Sequence, residues 1–155
     1  MLAVEPARCD LGGGGEMLAH PQTTIGLGDA GAHTSQTSDA GFPTFLLAYW
    51  VRQRRLLTLA AAIKKLTSDL AQLWSIAGRG RLQPGAYADI NVIDLDRLDL
   101  LLPEVRHDLP TGAPHLHQGA RGYTATIVNG KVVMRDGAHS GALPGRLLRN
   151  ARYGS

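Results

Sequence analysis

The chain of 155 residues has a single cysteine, Cys9. One thiol excludes an internal disulfide and any zinc site built from several cysteines. Aromatic residues are scarce, two Phe, two Trp and four Tyr. Nucleic-acid binders usually carry a long basic face with stacking aromatics or a recognisable motif, and neither is present. The formal charge is +3, and positive residues gather in two small groups, Arg52/Arg54/Arg55 and Arg146/Arg149/Arg152, read as solvated surface or ion pairs. No apolar run approaches the length of a membrane span. Residues 1–15 lack the apolar core of a signal peptide and hold Glu5, Arg8 and Asp10. The expected address is therefore cytoplasmic, with no membrane and no nucleic acid among the partners. No internal repeat is visible. The length suits one domain with a core, but a closed (β/α)8 barrel needs about 200 residues or more.

What is abundant is turn chemistry: 19 glycines and 8 prolines. Residues 1–15 read as an unstructured leader ending in four glycines, and Glu16 to Ala19 as the tail of a helix stopped by His20-Pro21. Thr23 to Leu27 reads as a short strand. Gly41-Phe42-Pro43-Thr44 opens a helix with proline near its first turn, and Phe45, Leu46, Tyr49 and Trp50 form its apolar stripe. Thr58 starts the next helix, with Leu59, Ile63 and Leu66 inward and Lys64/Lys65 outward. Thr67-Ser68-Asp69 caps a third, running through Leu70, Leu73 and Trp74 and ended by Gly78 and Gly80. The aromatic residues of this region are expected in the core.

The pattern then changes. Leu82-Gln83-Pro84-Gly85 predicts a type II turn, and Ala88 to Asp94 alternates as a strand. Residues 96–121 read as long and irregular. Tyr123–Val128 and Lys131–Met134 flank Asn129-Gly130, the signature of a type I′ hairpin. Asp136-Gly137 makes a further turn, and the tail from Gly141 is polar and basic.

The chemistry concentrates in Gly28-Asp29-Ala30-Gly31-Ala32-His33. Flanking glycines let a substrate or a metal approach Asp29 closely, and an aspartate ending a strand is a candidate metal ligand or general base. A structural turn that Asp29 merely caps is the other reading. Gly26 to Gly31 also spells the dinucleotide fingerprint. That motif needs a helix opening at its end and an acid about 20 residues later. A polar run without helical periodicity follows instead, and Tyr49 to Arg55 holds no acid.

Taken in order, these motifs resemble the C-terminal third of the amidohydrolase superfamily, closest to the N-acyl-D-amino-acid deacylase (D-aminoacylase) group. The resemblance rests on His20-Pro21 with Ile25 to His33, on Leu66-Thr67-Ser68-Asp69-Leu70-Ala71, and on Arg79 to Ile90. It continues through His107-Asp108-Leu109-Pro110, Val128-Asn129-Gly130-Lys131-Val132 and Gly141 to Arg149, over roughly residues 16–150. It implies an α/β fold: a C-terminal fragment of a TIM-like barrel, its last strand and helices in residues 16–78, then part of a small β-sandwich domain in residues 79–150 and a tail in residues 151–155. It implies zinc-dependent hydrolysis of an amide C–N bond in an N-acyl amino acid or similar small molecule. Asp29 would be the catalytic proton acceptor and a metal ligand, with His33 and Asp39 near substrate or metal.

The departures shape the expectation as much as the match. The family's His-x-His and its other metal ligands precede the catalytic aspartate, whereas 28 residues precede Asp29. His115-Leu116-His117 places two histidines on one strand face, but after Asp29; exposed loop histidines are the plainer reading. Gly78 stands where an aspartate is common, and the arginine that often follows the counterpart of Gly41-Phe42-Pro43-Thr44 is missing. The expectation is an N-terminally truncated enzyme, inactive alone and prone to self-association. The alternative is a non-catalytic remnant, or a partner chain that completes another subunit's site.

Overall fold

The computed structural model describes residues 12–149, so Cys9 and Arg152 lie outside it. Helix α1 spans Gly12–Ala19, so the last glycines of the expected leader are helical. The reason lies in packing: Gly15 is buried, and a Cβ there would stand 2.9 Å from the Trp50 ring.

The expected strand at Thr23–Leu27 is absent; the segment belongs to no ladder. A strand needs a neighbour for its backbone groups. Here only its first residue is tied down: Lys65 Nζ donates to the Thr23 carbonyl at 2.9 Å, and both Lys65 Nζ (3.2 Å) and Thr23 Oγ1 (2.9 Å) donate to the preceding His20 carbonyl.

Helix α2, Phe42–Phe45, starts with Pro43 in its first turn and runs into a π-helix at Leu46–Gln53. The wider turn buries more than one stripe: Leu46, Leu47, Ala48, Trp50 and Val51 are all buried, while Phe45 is 38% exposed. Helix α3, Leu59–Leu66, is capped by Thr58, whose Oγ1 accepts from the Ala61 amide at 3.2 Å. The face of α3 turned inward differs from expectation. Ala62 is fully buried, whereas Leu59 and Ile63 are 43% and 37% exposed. A small residue at the contact lets α3 approach the π-helix closely. Helix α4, Ser68–Leu73, leaves Trp74 62% exposed, so the aromatics divide between core and surface. Thr67 does not cap α4 through its side chain; its hydroxyl donates back to the Ile63 carbonyl at 2.7 Å.

The main sheet is antiparallel, in the order β1 (Ile90–Ile93), β6 (Tyr123–Val128), β7 (Lys131–Arg135), β8 (Ala138–His139). The predicted hairpin forms, with Asn129 and Gly130 at φ +48° and +76°. So does the Gln83–Ala86 turn, with Gly85 at φ +84° and the Ala86 amide bonded to the Gln83 carbonyl at 3.1 Å. Residues 96–121 are more ordered than expected: β2 (Asp99–Leu100) pairs with β5 (Ala120–Arg121), and β3 (Glu104–Arg106) with β4 (His115–His117).

Leu98, fully buried, joins Leu46, Leu47, Trp50, Val51 and Ala62 in one cluster, with Ile93, Leu95 and Tyr123 packed against it. Helices and sheet thus share a core. Polar ties cross the same boundary. Arg52, expected at the solvated surface, donates from Nη1 to the carbonyls of Leu95, Asp96 and Leu98, and Thr44 Oγ1 lies 2.8 Å from the Tyr123 hydroxyl.

Three of the separated motifs also meet. The Arg79 guanidinium pairs with Asp89, reaches Asn129 Oδ1 at 2.6 Å and lies 4.3 Å over the Tyr87 ring. Asp89 accepts from the Asn129 amide, and Asn129 Nδ2 donates to the Pro144 carbonyl at 2.7 Å. Gly80 passes close to helix α4 instead, where a Cβ would meet the Ala71 side chain at 2.8 Å and the Thr67 carbonyl oxygen at 2.9 Å.

Candidate active-site loop

Asp29 follows the unpaired segment Thr23–Leu27, where the chain folds into consecutive turns. Its carbonyl accepts from the Ala32 amide at 3.1 Å, and the His33 carbonyl accepts from Gln36 (2.7 Å) and Thr37 (3.1 Å). His33 adopts φ +50°, a left-handed conformation that histidine tolerates better than bulkier or β-branched residues. Its place is that of a turn residue.

The structure brings Asp39 to Asp29, but through the backbone. Asp39 Oδ2 accepts from the Asp29 amide at 2.8 Å. A Cβ on Gly28 would lie 2.7 Å from that oxygen and 2.8 Å from the Asp39 carbonyl oxygen, so only glycine passes. The carboxylate of Asp29 is left exposed to solvent. It can accept a proton or bind a cation, and a fixed backbone narrows the directions from which it can do so.

The far side of the loop rests on the β-rich part of the chain. The Leu116 amide donates to the Thr34 carbonyl at 2.8 Å, Ser38 Oγ lies 3.5 Å from Gln118 Oε1, and Gln118 Nε2 donates to the Leu101 carbonyl at 3.0 Å. Gly41 packs on Leu100, where a Cβ would stand 2.5 Å from a side-chain methyl. Sequence reasoning missed Gln118 and Leu116 because their contacts link segments about 80 residues apart.

His115 and His117 do occupy alternate positions of a strand, opposite Arg106 and Glu104. His115 is bonded to Asp108 and holds that carboxyl below the ordinary aspartate range, chiefly by the hydrogen bond. Among the described residues no group of three or more His, Cys, Asp and Glu could hold a metal ion. With Asp39 engaged by the Asp29 amide, the residues here do not fit a metal by themselves, since zinc takes at least three protein ligands. Nor is any helix among them long and apolar enough to cross a membrane.

A profile of the amidohydrolase family matches residues 15–134. The chain belongs to the amidohydrolase family. It is 38% identical over 106 residues to an N-acyl-D-glutamate deacylase of Alcaligenes xylosoxydans xylosoxydans, covering 68% of this chain and 20% of that protein. A D-aminoacylase of the same organism is 32% identical over 134 residues, covering 85% of this chain and 26% of the relative. Among solved structures, a D-aminoacylase studied for its binuclear metal center superposes with a TM-score of 0.57 at 31% identity, over 68% of this chain and 20% of the other. The amidohydrolase chain thus spans about a fifth to a quarter of the length of the curated relatives it matches.

Proposed function

We propose that this amidohydrolase chain contributes Asp29 to hydrolysis of the amide bond of an N-acyl-D-amino acid. The observation that supports it best is the presentation of Asp29: a solvent-facing carboxylate on a glycine-flanked loop whose backbone is held by Asp39. Asp29 takes a proton from the attacking water as the new C–O bond forms. It returns that proton to the departing nitrogen as the C–N bond breaks, giving a carboxylate and a free amine. Zinc is the cofactor that the family resemblance implies, and further ligands than these residues provide are needed to hold it.

In the same reading, residues 16–78 are the remnant of a TIM-like barrel, in which Thr23–Leu27 stands without the strand pairing expected of it, and residues 79–150 belong to a β-sandwich domain. Self-association belongs to this reading too. Leu27 and Leu73, 98% and 58% exposed, flank an open apolar cavity of about 320 Å³, and surfaces of this kind favour burial against another chain. The functional test is a chimera in which this chain replaces the matched quarter of D-aminoacylase. Retained zinc-dependent hydrolysis of N-acetyl-D-amino acids is the expected result; a folded, metal-loaded chimera without turnover would overturn the proposal.

A further inference from the structure

We propose that Asp39 and Gln118 are positioning residues for Asp29, together clamping its loop between the helical segment and the small β-ladders. The inference rests on the catalytic reading of Asp29 for its importance, but its geometry is independent of that reading. Asp39 is a charged acceptor placed 2.8 Å from one amide, that of Asp29 itself. A charged acceptor makes such a bond stronger than a neutral one. Gly28 lets the carboxylate approach to a distance that no side chain would permit. Asp39 is therefore not a second ligand beside Asp29; its Oδ2 fixes the peptide that carries the Asp29 side chain.

The neighbouring residue extends the clamp. Ser38 Oγ stands 3.5 Å from Gln118 Oε1, and the other end of the same amide group donates to the Leu101 carbonyl at 3.0 Å. Gln118 can do this because it is both donor and acceptor. It ties the loop to the end of β2, while the Leu116 amide holds Thr34 on the edge of β4 at 2.8 Å. The irregular region from Asp99 to Arg121 thereby acquires a purpose: its short ladders form the surface on which the loop is set. A general base must stay within hydrogen-bond reach of the proton it takes, and displacement by about 1 Å can cost about 100-fold in rate.

The test is residue-resolved hydrogen–deuterium exchange, read by mass spectrometry, on the 155-residue chain. In Asp39→Ala the Asp29 amide exchanges roughly tenfold faster or more, the usual worth of a bond to a charged group. Asp39→Asn, which keeps an oxygen acceptor, restores most of the protection. Gln118→Ala speeds exchange along the loop and leaves the β6–β7 hairpin unchanged. Unchanged exchange at Asp29 in Asp39→Ala, or Asn no better than Ala, would overturn the clamp. Loop amides indifferent to Gln118→Ala would remove Gln118 from it. If Asp39→Ala loosens the hairpin as well, Gly28→Ala, which displaces the Asp39 carboxylate from outside, must reproduce the local loss at Asp29 or the clamp is refuted. Asp29→Asn keeps its own amide and, relative to the intrinsic rate of asparagine, must leave this protection alone. Normal turnover of Asp29→Asn in the chimera would therefore sink the catalytic reading without touching the clamp.

Discussion

Replacing Leu98 with alanine probes the one core that helices and sheet share. Leu98 is the largest fully buried side chain among the described residues, and it packs within the cluster of Leu46, Leu47, Trp50, Val51 and Ala62. Truncation removes that packing yet leaves the Arg52 bonds to the backbone carbonyls of residues 95–98 in place, so it isolates the apolar contribution. A buried Leu→Ala change costs about 3 kcal/mol or more, depending on how far the cavity collapses. With a urea dependence of about 1.5 kcal/mol per molar, the midpoint should fall by about 2 M. In a Trp74→Phe background, fluorescence of buried Trp50 reports the helical side, and far-UV circular dichroism reports the whole chain. Both should shift together, because the core belongs to neither segment alone. A loss below about 1 kcal/mol, or a Trp50 transition that moves while the dichroism transition stays, would refute the shared core.

Arg79→Met should destabilise the chain by about 2 kcal/mol, because it leaves Asp89 without its charged partner and removes the bond to Asn129; Arg79→Lys should recover little, since an ammonium cannot replace the fork. An Arg79→Met variant with an unchanged urea midpoint would show that the hub is incidental. His115→Ala should raise the Asp108 carboxyl towards its ordinary range, visible in a carbon-13 titration. Because that carboxyl is depressed in the folded chain, its contribution is full above about pH 4 and fades as the pH falls through the folded value; an Asp108 titration unmoved by the substitution would contradict this. The 155-residue chain by itself should not hydrolyse N-acetyl-D-amino acids, with or without added zinc, and zinc-dependent turnover by the purified chain would overturn that expectation.

The elements legible in the sequence are those decided by adjacent residues. Asn129-Gly130 needs two positive φ angles in a row, and both residue types accept them. Thr58 caps a helix three residues from its partner, and Pro84-Gly85 turns the chain within four. Elements whose partners are remote are not legible in the same way. Thr23–Leu27 has strand-like residues, but no strand lies beside it among the described residues. Strands of two or three residues at Asp99–Leu100, Glu104–Arg106, His115–His117 and Ala120–Arg121 exist only through pairings that no local pattern announces. Ala62 rather than Leu59 faces the core because a neighbouring helix comes close, which hydropathy cannot register. At the site, the flanking glycines mark Asp29, whereas Asp39 enters only through the family resemblance, as a residue near substrate or metal. What Asp39 does, holding the Asp29 amide, depended on a fold-back of ten residues.

The most direct test of the central claim is the turnover number of Asp29→Asn in the D-aminoacylase chimera. The amide keeps the size of the side chain but cannot accept a proton. The predicted result is a fall in kcat of about 100-fold or more, the usual contribution of a general base. A kcat near that of the parent chimera would contradict the account and leave Asp29 a structural residue.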